Sequence, residues 1–360
     1  MAEDVDIRSH TPESGSVLNL ALQYALRCNI SCGHCSVNAG PKVGRRMTLD
    51  FALGVLRQSE SIELIDRVTF TGGEVLLLQK EILELVAYAT KLGKKTRIVS
   101  NGFWARNMES GRRVLAQLRR AGLTELNLSA DEYHYNELPA IVTANAAELL
   151  HEFGYAVVIN RVERRGGDTF ATFADKCGFD SNHLAIFQED FGLREAEFIG
   201  RKKILVRNIG LSVEGRAALR RDDATLKPLS EFHGGCQQPV RAPSVSPEGL
   251  LFPCCSPGSN YATFQIGNLH ETPLRDLIQK LLDDPLANFI TTYGPAELMR
   301  LLARRDPQFD REYSDICNMC CTALRRYTGD QLREIVREFV IEEMFCNLLG
   351  LERMPTAVSQ

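Results

Sequence analysis

The sequence predicts an α/β fold: a partial (βα)6 parallel barrel, followed by a small cysteine-bearing C-terminal unit with a helical extension. Three observations predict it. Apolar runs of period two alternate with runs of helical period up to about residue 175. The connections between them are short, which suits parallel strands joined by right-handed crossovers. After "VEGRAALRRDD" proline and glycine become frequent, from Pro228 through Gly258, which marks a unit of short strands and turns.

The elements follow in order. In "VLNLALQYAL" Leu18, Leu20, Leu22, Tyr24 and Leu26 alternate with Asn19, Ala21, Gln23 and Ala25, a first strand. Thr48 is placed to cap a helix that runs to about Glu60. "DRVTF" reads as strand, "QKEILELVAYATKLG" as a helix ending at Gly93, and "KTRIVS" as strand. "SGRRVLAQLRRAG" reads as a helix closing at Gly122, "LTELNLS" as strand, "PAIVTANAAELLHEFG" as helix and "YAVVINRV" as strand. A sixth strand is expected near "KKILVRN". Helices are expected in "PLRDLIQKLLDD", "PAELMRLLARR" and "GDQLREIVREFVIEEMFCNLLG". The stripe Leu332, Ile335, Phe339 and Phe345 on the last of these reads as core packing. The expected domains are a disordered tail over 1–16, the barrel over 17–217, the cysteine unit over 230–325 and a C-terminal helix over 326–360.

Composition limits the function. Hydrophobic content is 44% and charged content 24%, ordinary for a globular protein. A net charge of −4 gives no reason to expect nucleic acid or an anionic membrane as partner. No apolar run approaches the ~20 residues that span a bilayer. The acidic, polar start "MAEDVDIRSHTPESGS" is unlike a signal peptide, so a cytoplasmic protein is expected.

Eleven cysteines then need a use other than disulfides. They fall in groups: Cys28, Cys32 and Cys35; Cys236, Cys254 and Cys255; Cys317, Cys320 and Cys321, with Cys177 and Cys346 alone. Grouped thiolates in a reducing compartment point to metal. The first group directly follows the first strand, at the end where α/β folds collect functional groups. A structural zinc site wants four ligands, and His34 is awkwardly adjacent to Cys35. Three thiolates suit three irons of a [4Fe–4S] cube and leave the fourth iron open to chelate a small molecule.

C-x3-C-x2-C after the first strand of a βα series resembles the radical S-adenosylmethionine (radical SAM) superfamily. His34 stands where that family usually has an aromatic residue. The resemblance implies an open iron that binds S-adenosylmethionine, whose reductive cleavage yields a 5′-deoxyadenosyl radical. "TGGE" after the second strand resembles the family's Gly-Gly-Glu motif, which implies that Gly72, Gly73 and Glu74 hold the methionine amino group. "SNG" and "SADEYH" end the third and fourth strands. By resemblance Ser100, Asn101, Ser129 and Asp131 contact the cofactor's ribose and carboxylate. Asp131, His134 and Arg161 are candidate catalytic acid–base groups, and "GRA" at 215–217 resembles a segment that precedes the family's C-terminal extension, with Arg216 as a further candidate.

The spacing C-x12-G-x4-C over Cys236, Gly249 and Cys254, followed by the C-x2-C of Cys317 and Cys320, resembles the auxiliary-cluster extensions called SPASM and twitch domains. Arg326 occupies a place where a SPASM domain continues with cysteine, so a single auxiliary iron–sulfur cluster is expected. Its ligands would be Cys236, Cys254, Cys317 and Cys320, with Cys255 and Cys321 as possible substitutes. The resemblance implies hydrogen-atom abstraction in maturation of a ribosomally made peptide, with an external electron donor such as flavodoxin or ferredoxin. One alternative is a dehydrogenase or epimerase of a small polar precursor (an aminocyclitol, sugar or nucleoside), which the short stretch before Cys28 favours. Another is a non-catalytic zinc-binding protein.

Overall fold

The structure is a computed structural model that describes residues 17–180, 184–187 and 204–348. The tail over 1–16, Lys202 and Lys203 of the expected sixth strand, and the end of the C-terminal helix domain lie outside these residues.

Seven parallel strands form the barrel sheet: β1 (Leu18–Ala25), β2 (Ile65–Gly72), β3 (Lys95–Ser100), β4 (Glu125–Ser129), β5 (Val157–Glu163), β6 (Leu184–Phe187) and β7 (Ile204–Gly210). Their spatial order is β1-β2-β3-β4-β5-β7-β6. The strand expected near 202–208 is β7, which pairs with β5. β6 is an additional four-residue strand on the outer edge of β7, too short to show a period in the sequence.

The helices between strands are α1 (Leu49–Ser59), α2 (Gln79–Lys91), α3 (Met108–Ala121), α4 (Glu132–Tyr135), α5 (Ala140–Glu152) and α6 (Phe170–Cys177). Thr48 caps α1, its hydroxyl accepting from the Phe51 N–H at 3.2 Å. Gly122 closes α3 in the left-handed region at φ 95°.

Strand alternation sorts the side chains into two faces. Leu20, Leu22, Tyr24, Val68, Phe70, Ile98, Leu126, Leu128, Ile159 and Val206 face the helices in one large core. The opposite face carries Asn19, Gln23, Arg67, Thr69, Arg97, Glu125, Asn127 and Arg207, so the lumen is polar. Arg67 and Arg97 both pair with Glu125 there, at 2.7 and 2.5 Å.

The C-terminal unit extends this sheet. β8 (Lys227–Pro228) pairs far along the chain with β12 (Glu312–Tyr313), while β9 (Ser244–Val245), β10 (Leu250–Phe252) and β11 (Gly267–Asn268) join the barrel sheet. β9 runs parallel to β1, and β10 antiparallel to β9. Around this hairpin lie α7 (Gln238–Arg241), α8 (Leu274–Leu282), α9 (Pro285–Thr292), α10 (Gly294–Ala303), α11 (Ile316–Arg326) and α12 (Gly329–Leu348). A second core gathers Phe264, Phe289, Met299, Phe309, Tyr313, Leu332, Ile335 and Phe339. Each such side chain contributes roughly 1.5–3 kcal/mol by leaving water. Phe345 corrects the sequence reading. It is 61% exposed, because the last turns of α12 run past the core that holds Leu332 and Phe339.

Candidate active site

The first cysteine group occupies the loop after β1 and is gripped from two sides. On one side the Gly73 and Glu74 N–H groups donate to the carbonyls of Ala25 and Arg27, at 2.6 and 2.9 Å. A Cβ on Gly72 would lie 2.4 Å from the Ala25 oxygen, and one on Gly73 2.2 Å from the Arg27 oxygen. In this structure the two glycines therefore serve a close approach to the chain's own backbone. On the other side the Arg216 N–H donates to the Cys35 carbonyl at 3.0 Å, and its guanidinium donates to the carbonyls of Cys32 and Ala39.

Cys28 is buried and Cys32 and Cys35 are half-buried. Burial pushes the Cys28 thiol up to about 11. Cys35 goes the other way, to about 6. The Cys32 thiol hydrogen-bonds to it, and the Ala39 and Val37 N–H groups and the Arg216 charge add to that effect. Cys32 shifts the other way, raised by that same hydrogen bond and by burial. The loop thus brings three sulfurs together, with Cys35 the most readily ionised, a donor set that fits three irons of a cluster. Cys32, His34 and His134 also bring ligating atoms within 4.8 Å of one another, a mixed sulfur and nitrogen set that shares Cys32.

Glu74, Ser100 and Asn101 come together at the ends of β2 and β3. Glu74 is buried. It accepts from the Leu76 N–H at 3.1 Å, the Asn101 N–H at 2.8 Å and the Ser100 hydroxyl at 3.0 and 3.1 Å. Burial raises its carboxyl to about 7 despite these donors. Asn101 lies over the cysteine loop, its amide donating to Asn29 at 2.9 Å and approaching the Cys28 sulfur at 3.8 Å. Ser129 ends β4 half-buried, in register with Asn160.

Asp131 and His134 meet at the start of α4. Asp131 caps that helix, accepting from the N–H groups of Tyr133 and His134, and its Oδ1 lies 2.8 Å from His134 Nδ1 and its Oδ2 3.4 Å from His34 Nε2. Burial alone would raise its pKa, but the two histidines and the Val162 N–H hold it well below the usual range. The Asp131 charge correspondingly outweighs burial at His134 and raises it. His34, its pKa lowered to about 4 by burial, stacks on Tyr133 with ring centres 4.7 Å apart. It supplies the flat face expected at that position, and its Nδ1 is buried without a hydrogen-bond partner. Arg161 is not brought to this group. It sits on the helix-facing side of β5, bonded to Glu163 and Asn208, with its guanidinium over Phe173. β5 runs on to Glu163, so Arg161 lies inside the strand and shares the helix-facing parity of Val157 and Ile159.

The later cysteines lie within electrostatic reach of one another. Cys254 and Cys236 come from the hairpin side, Cys317 and Cys320 from α11. Burial raises all four thiols, and the charges of the others raise Cys317 and Cys320 further. Cys321 is buried beside Glu214 and Arg325. Cys255 is exposed, yet burial of its surroundings still raises its thiol, and the charges of Arg207 and Arg97 oppose that rise. It therefore lies within electrostatic reach of these two arginines.

A parallel βα barrel carries a clamped three-thiol loop at the carboxyl end of its first strand, beside a buried carboxyl and a histidine pair, at the place where such folds collect their functional groups. Residues 22–160 match the model of the Radical SAM superfamily, so this stretch is a radical SAM domain. Such a domain implies a [4Fe–4S] cluster and S-adenosylmethionine. The chain is 23% identical over 301 residues to the putative peptide biosynthesis protein YydG of Bacillus subtilis (strain 168), across 82% of this chain and 88% of that one. It is 31% identical over 117 residues to the PqqA peptide cyclase of Xanthomonas euvesicatoria pv. vesicatoria (strain 85-10), across 32% of this chain and 29% of that one. Among solved structures, BtrN in complex with AdoMet and 2-DOIA aligns with a TM-score of 0.46 and 16% identity, covering 78% of this chain and 89% of that one. Among the described residues no helix is long and apolar enough to cross a membrane.

Proposed function

We propose that the chain is a radical SAM enzyme of peptide maturation, with one auxiliary iron–sulfur cluster held by Cys236, Cys254, Cys317 and Cys320. One observation carries the peptide reading: the similarity to a putative peptide biosynthesis protein extends far beyond residues 22–160, through most of the cysteine-bearing unit. When bound, the cluster and S-adenosylmethionine supply a 5′-deoxyadenosyl radical that takes a hydrogen atom from an unactivated carbon. The chain's own part is to position and shield. Asn101 and Arg216 order the cysteine loop, Asp131 orients His34 and His134 beside it, and the polar lumen receives the substrate segment. An external carrier of flavodoxin or ferredoxin type delivers the electron. Cys255 favours one outcome among peptide modifications: an exposed thiol within reach of the lumen arginines can return a hydrogen atom to a substrate carbon from the face opposite the abstraction, which inverts that centre. The thiyl left on Cys255 would then take one electron from the external carrier and a proton from solvent.

Anaerobic reconstitution tests the reading. The expected result is about eight irons per chain, release of 5′-deoxyadenosine under dithionite, and, in D2O with the substrate peptide, incorporation of a single deuterium that Cys255→Ala abolishes. A colourless protein holding two zinc ions refutes it.

A further inference from the structure

A cavity of about 400 Å³ lies between the segment Val213–Arg221 and α11, on the outer wall of the molecule. Arg221, Arg311, Arg325 and Arg326 line it together with Asn318 and Thr322, and no carboxylate is among the described lining residues. Two of these guanidiniums are already neutralised: Arg325 pairs with Glu214 at 2.7 Å and Arg326 with Asp306 at 3.1 Å. The other two are not. Arg311 donates to the Thr322 hydroxyl at 3.0 Å and lies over the Tyr313 ring, while its Nε is buried with no hydrogen-bond partner. Arg221 is exposed at the rim, and among the described residues neither it nor Arg311 makes an ion pair. A buried, unmatched guanidinium N–H is a standing desolvation cost that an incoming anionic acceptor relieves.

The cavity's walls tie it to both thiol groups. The short helical segment Gly215–Asp223 sends Arg216 to the Cys32 carbonyl and Arg220 over the Tyr133 ring, and turns Ala218 and Arg221 toward the cavity. α11 carries Cys317 and Cys320 and also sends Asn318, Thr322 and Arg325 into the cavity. An anion held here is therefore anchored one segment away from each cysteine group, outside the lumen.

We propose that this cavity is an exosite for an acidic stretch of the peptide substrate, in which Arg311 and Arg221 receive neighbouring Asp or Glu carboxylates at a distance from the residue being modified. This rests on the peptide reading above. The cavity's size suits a few side chains of an extended chain. A folded acidic carrier protein needs a broad contact face of roughly 800 Å² on each partner, which a cavity of this kind does not supply.

The test measures binding of fluorescein-labelled hexaglutamate and hexaglutamine to the reconstituted full chain by anisotropy, with hydrogen exchange to locate the contact. Hexaglutamate is expected to bind, more weakly as salt rises, and to protect 213–221 and 311–326, whereas hexaglutamine leaves both unchanged. Arg221→Glu, at an exposed position that folding does not depend on, weakens hexaglutamate by at least about tenfold. Arg311→Gln does the same, and Arg57→Glu on α1 does not. Hexaglutamate binding that is equal in the wild type, R221E and R311Q overturns the proposal. So does binding of inorganic phosphate without hexaglutamate, or loss of affinity in R221E for reduced flavodoxin alone. A chain that modifies its peptide but shows no arginine-dependent binding overturns the exosite and leaves the function standing. Arginine-dependent binding in a chain that modifies no peptide overturns the function and leaves an acidic-peptide site.

Discussion

The Arg216 guanidinium donates to the carbonyl oxygen of Cys32 at 2.6 Å, joining residues 184 positions apart in the chain. Its neighbour Gly215 sits at φ 60°, and a Cβ there would lie 2.4 Å from the Ser36 oxygen. The last segment of the barrel therefore holds the first loop by main-chain geometry as well as by charge. Arg216→Ala is expected to cost about 1–3 kcal/mol, because it leaves two loop carbonyls without their donor. It should also lower iron bound per chain after reconstitution. Iron content and the visible iron–sulfur absorption check this. A wild-type iron content in R216A contradicts the clamp.

The glycines of the second-strand turn give a sharper steric test. A Cβ on Gly73 would sit 2.2 Å from the Arg27 oxygen and 2.7 Å from its carbonyl carbon, both rigid backbone atoms. Gly73→Ala must displace the cysteine loop, and a loss above about 2 kcal/mol in urea unfolding is expected. Gly54 provides the contrast. It lies within α1, and nothing would come within 4 Å of its Cβ. Gly54→Ala should stabilise the chain by roughly 0.5–1 kcal/mol through helix propensity.

Glu74 predicts a pH dependence with a definite sign. Burial raises its folded-state pKa to about 7, above the ~4.3 of an unfolded glutamate. A carboxyl raised on folding contributes stability that is fully present below the unfolded value and lost as pH climbs through the folded one. In cluster-free protein, unfolding free energy should therefore decline between about pH 4.3 and 7, by at most about 4 kcal/mol from this group. Glu74→Gln should flatten that slope, whatever it does to stability at a single pH. Urea midpoints at four or five pH values decide it, and an unchanged slope in E74Q would mean that the carboxyl is ionised throughout.

Much of the barrel was legible because strand period and capping residues act locally. Thr48, Gly93 and Gly122 mark their helix ends by backbone chemistry that needs no partner, and β1 through β5 alternate because the helices cover one face only. The cysteine loop and the Asp131–His134 pair were likewise readable, since both follow strands directly. What escaped the sequence depends on distant neighbours. β6 is visible only as an edge of β7. The helical nature of Ile316–Arg326 was hidden behind its cysteine spacing, although Asp315 caps it by accepting from the Asn318 N–H at 2.7 Å. Arg161, read as a candidate at the barrel mouth, turns instead to the helices. Which way a side chain points at a strand's end depends on register, and a single chain's residue types do not encode it.

The adjacent pair Cys254 and Cys255 should separate cleanly under mutation. Cys254 is buried, packs in the second core and approaches the Ser256 hydroxyl at 2.9 Å. Cys255 is exposed, within electrostatic reach of Arg207 and Arg97. Cys254→Ala is expected to remove the auxiliary iron, leaving about four irons per chain, and to cost stability through a cavity in the core. Cys255→Ala should keep the full iron content and the wild-type melting temperature, because its side chain fills no core space. 5′-Deoxyadenosine release should continue in C255A while deuterium incorporation into peptide stops. Iron analysis, thermal unfolding and product mass on the two variants in parallel check the assignment. Iron loss in C255A with retention in C254A would exchange the two roles.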